Sequence, residues 1–472
     1  MSMALDMTLT EVAAALDSGQ LSSVALVDDI LSRLPDLAPL NIFLDIHADA
    51  AREQARLLDQ ERQRGLKRSA LHGIPMACKD MFFRQGVPSS CGSRVRMPLS
   101  PVTASVLKRL VDAGAIQMGV LNMAEFAFNP TGHNASMGHC RNPWNPTHIT
   151  GGSSSGSAAA VATRSVWAAL GSDTGASIRL PAALNGVTGL KPTYGRVSRA
   201  GAMGLSFTLD TIGPMTQTAQ DCAWMLDAIA GPDSLDPTTA GFVKPDYASG
   251  IGTSVRGLRV GIPSAYFNEG VDDRIAKLLA QSQQTLKDLG CKLIDVKIDA
   301  EALIAANAAA TLVMAVESAT LHGQLLREQG HLYTAQVHAR LERGFAVSGP
   351  QYLDALRYRA IALEQIMTTV FDHVDVLQTP ITPIVTPQID ATDMPVGPEL
   401  DRLHGLLTRC LRPVNFLGLP ALSVPMGFLP DGMPSGMQLV GKPWGEPMLL
   451  KLGHAYQTVT DWHRQRPPIP TL

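Results

Sequence analysis

The stretch Gly151-Gly-Ser-Ser-Ser-Gly-Ser157, followed at once by Ala158-Ala-Ala-Val-Ala162, decides how this chain is read. Gly and Ser permit a tight loop with exposed backbone N–H groups, and the alanine run starts a helix. Free N–H groups at a helix N-terminus suit negative charge, fixed or transient. Composition alone also allows a flexible linker, but the abrupt passage into an Ala-rich helix deep inside a globular sequence counts against one. A phosphate cradle fits poorly, because no Gly-Lys-Ser/Thr follows. Gly152-Ser-Ser154-Ser-Gly156 also matches the G-x-S-x-G elbow of α/β-hydrolases, and seven downstream histidines leave a triad partner open. That elbow needs a buried apolar strand directly before it, and Asn145-Pro-Thr-His-Ile-Thr150 supplies none.

Two further segments carry chemistry. Gly171-Ser-Asp-Thr-Gly-Ala-Ser-Ile-Arg-Leu-Pro181 follows an apolar run and surrounds Ser177 with small residues. Such a chain can approach a substrate carbonyl closely, and the N–H groups of Thr174, Gly175, Ala176 and Ser177 could form an oxyanion hole. The bland reading is a surface turn with an Asp173–Arg179 pair worth at most about 1 kcal/mol. In Gly73-Ile-Pro-Met-Ala-Cys-Lys79-Asp80 a lysine ends an apolar strand, where a charge is seldom placed without a task. A lysine snorkelling from a strand end is the ordinary alternative.

Around these segments the chain alternates strand-like and helical runs. Thr8-Leu-Thr-Glu11 has capping-box spacing and opens a first helix. A second runs over Ser22–Leu34 and a third over about Ala48–Arg64, ending at Gly65. Then come apolar runs at Ile74–Lys79, Ala115–Leu121, Val166–Leu170, Leu258–Ile262, Lys292–Ile298, Val374–Gln378, Ala421–Val424 and Met437–Val440. A helix near Thr103–Ala113 and a long one over Tyr352–Phe371 lie between them. Strands alternating with helices predict an α/β fold on a largely parallel or mixed sheet. We read residues 1–64 as N-terminal helices and 65–472 as one catalytic domain with a helical insertion around 263–372.

The 472 residues, 45% of them hydrophobic, suffice for a large core. A net charge of −3 without long runs of one sign predicts no nucleic-acid or anionic-membrane partner. No window of about 20 residues is free of charges, and the most apolar stretch falls around Ala158–Leu170. The N-terminus reads as no secretory signal. Six cysteines without a C-x-x-C pair read as free thiols of a cytoplasmic protein. His133, His139 and His148 have irregular spacing and no carboxylate partner in register, so structural roles are expected and no metal.

Taken together, the segments resemble the amidase signature family. The lysine strand G-I-P-M-A-C-K-D, the loop G-G-S-S-S-G-S-A-A-A-V-A and the block from Gly171 to Ser198 all match. So do Asn122–Phe126, Arg141–Trp144, Thr379–Pro383 and Arg412–Pro425. The resemblance covers roughly residue 65 to the C-terminus. It implies a large mixed sheet with helices on both faces, Ser177 as nucleophile, Ser153 as bridging serine and Lys79 as base. The Gly152–Ser153 peptide bond would be cis, with Gly152, Ser154, Asp173 and Arg179 supporting the site. A neutral lysine is needed, and burial against Ile74 and Met76 would lower its pKa. The implied reaction needs no cofactor, and a homodimer is implied.

Two departures bear on substrate. Ala176 stands where the family usually has Gly, which demands a negative φ or narrows the pocket. Lys191–Ser198 resembles the amidase subunit of tRNA amidotransferases, but Leu407–Pro413 lacks the acid that grips the glutamine amino group there. The expected substrate is therefore a small or aryl carboxamide, a carbamate or a urea-type compound, with Phe126 and Phe128 as pocket walls. The alternatives are a non-catalytic scaffold and a glutamine-hydrolysing subunit.

Overall fold

The apolar runs become strands because Val, Ile, Leu and Met pack on a pleated surface. A computed structural model describes residues 3–241 and 243–468. In chain order the strands are β1 (Phe43–Ile46), β2 (Pro75–Lys79), β3 (Ile116–Leu121), β4 (Ala168–Asp173), β5 (Thr188–Lys191) and β6 (Thr211–Thr216). They continue with β7 (Arg259–Pro263), β8 (Lys292–Val296), β9 (Val376–Pro380), β10 (Ala421–Phe428) and β11 (Pro434–Gly441). These eleven strands among the described residues join in one sheet, ordered β1-β3-β2-β4-β6-β5-β10-β11-β9-β7-β8. β2 runs parallel to β3 and β4, and β7 parallel to β8 and β9. The pairings from β4 through β6, β5, β10 and β11 to β9 are antiparallel. The fold is therefore α/β on a mixed sheet. Each apolar run named above falls on a strand.

Side-chain alternation along β10 places helices on both faces. Leu422 and Val424 face the helix Glu446–Gln457, so closely that a Cβ on Gly453 would meet Leu422 Cδ2 at 2.6 Å. Ser423 and Pro425 pair with Gly189 and Gly436, where a Cβ would meet Ala182 at 2.7 Å and Ala183 at 2.9 Å. Those alanines belong to the helix Arg179–Leu184 on the opposite face.

The opening helices form as read. Thr8 caps Leu9–Asp17 through Glu11 N–H, and the Glu11 carboxylate returns to Thr8 N–H at 2.7 Å. Ser22 caps Ser23–Leu37, and the third helix is Ala48–Gln63. Tyr352–Phe371 forms as the helix Gly349–Ile366 with a π-helical end at Met367–Phe371.

One helix differs from the sequence reading. By length and composition, Ala300–Leu332, rather than Ala158–Leu170, is apolar enough to cross a membrane. Here it is one wall of a helical layer, with Leu303, Ala306, Ala310 and Val313 packed inward. Its Glu317 is buried and accepts from Ser206, Thr208 and Tyr352, so the carboxylate is fully satisfied by neighbouring protein groups.

Candidate active site

Lys79 ends β2, in the middle of three parallel strands, and is fully buried. Its Nζ donates to Ser153 Oγ at 2.7 Å and to Ser172 Oγ at 2.9 Å. Burial lowers its pKa to about 7, against the opposing pull of Asp173 and Asp210. A large fraction of Lys79 is therefore neutral near pH 7 and able to take a proton. Ser172 was not singled out in the sequence. Only the structure reveals it, because β4 runs parallel beside β2 and brings Ser172 to the lysine.

The Gly/Ser loop forms as a tight turn into the helix Ser155–Ala162, with a cis bond at Gly152–Ser153. Its glycines are required by close approach. A Cβ on Gly152 would sit 2.3 Å from the Asn129 carbonyl, and one on Gly156 would sit 2.6 Å from the Asn122 backbone. Ser154 Oγ is bonded to the Ser172 backbone at 3.3 Å and is fully buried. A hydroxyl so placed cannot act as the exposed serine of an α/β-hydrolase elbow.

Ser177 lies at the floor of a cavity of about 350 Å³, with Thr174, Gly175 and Ala176 beside it. Ala176 is absent from the residues with positive φ, and it packs with Ile149, Leu180 and Leu184. The methyl is thus accommodated without left-handed backbone. Thr174 Oγ1 donates to Asp210 at 2.6 Å.

Asp173 and Arg179 are far from a surface pair. Both side chains are fully buried, Arg179 Nε and Nη2 each donate to the carboxylate at 2.9 Å, and Ile178 N–H adds a third bond at 3.1 Å. Asn415 donates to Asp173 at 2.9 Å, and Arg179 continues to Gln438 and the Leu411 carbonyl. Burial alone would raise the Asp173 pKa, but the Arg179 charge holds it at about 2. The loop that carries Ser177 is thereby anchored to β11 and to the helix Arg412–Phe416.

Phe128 lines the cavity. Phe126 does not: it is fully buried, edge-on to His322 at 4.5 Å and tilted against Tyr333 at 5.3 Å. The opposite wall is cationic. Arg340, Arg343 and Arg412 line it with His404, Thr408 and Asp401. Arg343 pairs with Asp401 at 2.9 Å, while Arg340 and Arg412 form no ion pair among the described residues. Arg340 donates to the Phe128 carbonyl and to His404 Nδ1, Arg412 donates to Thr311, and Arg412 Nε is buried without a partner. Burial and, for Arg340, the nearby Arg412 lower both guanidinium pKa values to about 10, which leaves both charged at neutral pH. No pattern in the sequence marked this wall, because its residues come from two distant helices and one helix start.

His133 and His139 come together with Asp393, while His148 lies apart, bridged to Gln388. All six cysteines are free and buried.

The Amidase family profile matches residues 25–450 of the chain. The chain belongs to the amidase family. It is similar to the A subunit of the glutamyl-tRNA(Gln) amidotransferase of Chloroflexus aurantiacus, 39% identical over 98% of both chains. Among solved structures, one comes from a vestigial protein complex that reveals the evolutionary origins of an s-triazine catabolic enzyme, with 32% identity, a TM-score of 0.88 and coverage of 96% and 98%. Another is the native peptide amidase from Stenotrophomonas maltophilia, with 30% identity, a TM-score of 0.85 and coverage of 98% and 99%. As a member of this family the chain is an enzyme that acts on amides.

Proposed function

We propose that this enzyme hydrolyses a small carboxamide or urea-type C–N bond through an acyl-enzyme on Ser177, and that the acyl part ends in a carboxylate. The observation that carries the reaction is the 2.7 Å bond from the buried Lys79 to Ser153, at a lysine whose pKa burial lowers to about 7. Neutral Lys79 takes the proton of Ser153 as Ser153 takes that of Ser177, and Ser177 Oγ attacks the carbonyl carbon. Backbone N–H groups of Thr174 to Ser177 hold the oxyanion. The proton returns along the relay to the leaving nitrogen, the C–N bond breaks, and water releases the acid by the same route. Asp173 and Arg179 hold the loop and exchange no proton.

The carboxylate follows from the cavity wall. Two charged guanidinium groups that form no ion pair among the described residues line the cavity beside Ser177, and a carboxylate is the group their forks match. Likeness to the amidotransferase chains favours a second reading, in which the substrate is glutamine and a partner protein takes the ammonia. For the glutamine ammonium, Asp401 is the acid at the cavity, although Arg343 already holds it. Thr408, within the stretch that lacks the acid, lines the same cavity. A cytoplasmic homodimer belongs to the first reading, a heteromeric complex to the second.

The test is a panel of ω-carboxylate amides and ureido acids, their methyl esters, aryl anilides and glutamine, assayed on the isolated chain. We expect the free carboxylates to exceed their esters at least tenfold in kcat/KM. Preference for neutral anilides would overturn the carboxylate. Glutamine turnover that rises severalfold with a copurifying protein would establish the second reading.

A further inference from the structure

A second cavity of about 370 Å³ adjoins the catalytic one and shares Phe128 and Asn129 with it. His133, His139 and Asp393 line it. His133 Nδ1 and His139 Nε2 face each other at 3.2 Å. Two nitrogens bound at about 2.0–2.1 Å to one tetrahedral ion stand about 3.3 Å apart, so the pair already has the spacing of a shared ion. The nitrogens that point away both have partners. His133 Nε2 lies 2.7 Å from Thr392 Oγ1, and His139 Nδ1 lies 3.1 Å from the Asn134 carbonyl. When these outer groups accept N–H bonds, both facing nitrogens present lone pairs, the state a metal requires. An Asp393 carboxylate oxygen lies within 4.8 Å of one ring nitrogen of each histidine, on a side chain exposed to solvent.

Without an ion the same atoms close a hydrogen-bonded chain. Asn134 N–H lies 2.9 Å from His139 Nδ1, and His139 Nε2–H then donates to His133 Nδ1. The two states differ by the tautomer of His139 and need no net loss of a proton.

We propose that His133, His139 and Asp393 bind one divalent transition metal ion of zinc type, with a fourth position open to the cavity. Two imidazoles and one carboxylate form a borderline donor set that suits zinc. The ion ties the loop at residues 129–139 to the segment around Thr392 and Asp393. That loop backs Gly152, whose Cα has no room for a side chain against Asn129 and Gly132. The site therefore clamps the floor of the catalytic cavity and takes no part in bond cleavage.

The experiment is titration of chelator-treated protein with zinc chloride, read by calorimetry and thermal melting, and with cobalt(II) chloride, read by visible absorption. One zinc per chain, a raised melting temperature and the intense visible bands of four-coordinate cobalt are expected. His139→Ala and the exposed Asp393→Asn should each weaken zinc binding at least tenfold, while the zinc-free melting temperature of Asp393→Asn stays that of the parent. The proposal is overturned if the parent binds no zinc saturably, if both variants bind it as the parent does, or if cobalt gives only the weak absorption of a six-coordinate ion.

Discussion

The floor and the wall of the catalytic cavity are built on opposite terms. On the floor, Lys79, Ser153, Ser172, Asp173 and Arg179 are buried and bonded to one another and to their surroundings. On the wall, Arg340 and Arg412 stay charged and form no ion pair among the described residues, and Arg412 Nε and His404 Nε2 are buried with no hydrogen-bond partner among them. A satisfied network holds reacting groups in place and needs no reorganisation during the reaction. An unsatisfied one costs free energy in the empty enzyme, which a bound group recovers. On the proposed function the floor performs the chemistry and the wall chooses the substrate, so substitutions on the two sides should fail differently.

The largest effect belongs to the relay. Ser177→Ala and Lys79→Ala should each lower kcat/KM by about 10⁴–10⁶-fold in a steady-state assay, with the fold intact by circular dichroism. Asp173→Asn breaks the buried pair and leaves Arg179 an uncompensated charge. Denaturant melting should then show a loss of about 3–5 kcal/mol, and a loss below 1 kcal/mol would place the pair outside the network that anchors the loop. On the wall, Arg340→Gln and Arg412→Gln should lower kcat/KM for carboxylate substrates by about 10–100-fold, mostly through KM, and leave ester analogues nearly unchanged. Equal losses on both substrate types would erase the distinction between floor and wall.

The smallest effect is also the most specific. Ser172→Ala removes one acceptor from the Lys79 ammonium and should cost about 3–10-fold in activity. In the parent, log kcat/KM should rise with pH and level off above about 7, as Lys79 loses its proton. Removing an acceptor that favours the ammonium lowers this pKa further, so the rising limb should move to lower pH in Ser172→Ala. A limb that stays fixed or moves upward would show that Ser172 does not hold the cation.

The legible parts of the chain are those whose physics is local. Eight apolar runs found their strands, and the capping box at Thr8 and the loop before Ser155 formed where their spacing put them. β1, β5 and β6 escaped notice. β1 is four residues long, half-exposed, and carries Asp45. β5 and β6 hold Gly189, Gly213 and Pro214, which read as loop but serve close packing against Ile178 and Leu190. Lys79, Ser153 and Ser177 were visible because each sits in a distinctive run, and the fold brings those runs onto neighbouring strands and loops. Arg340, His404 and Arg412 were hidden among ordinary helical residues, and only tertiary structure gathers them. The same holds for His133 and His139, whose third partner, Asp393, comes from a distant connection.

The central claim is that Lys79 activates Ser177 through Ser153. It is tested most directly by reaction with a fluorophosphonate, followed by intact-mass measurement and peptide mapping of the parent, Ser177→Ala and Lys79→Ala. The account predicts one adduct, on Ser177, absent in Ser177→Ala and formed far more slowly in Lys79→Ala. An adduct on Ser154, or one formed on Ser177 at an undiminished rate without Lys79, would contradict it.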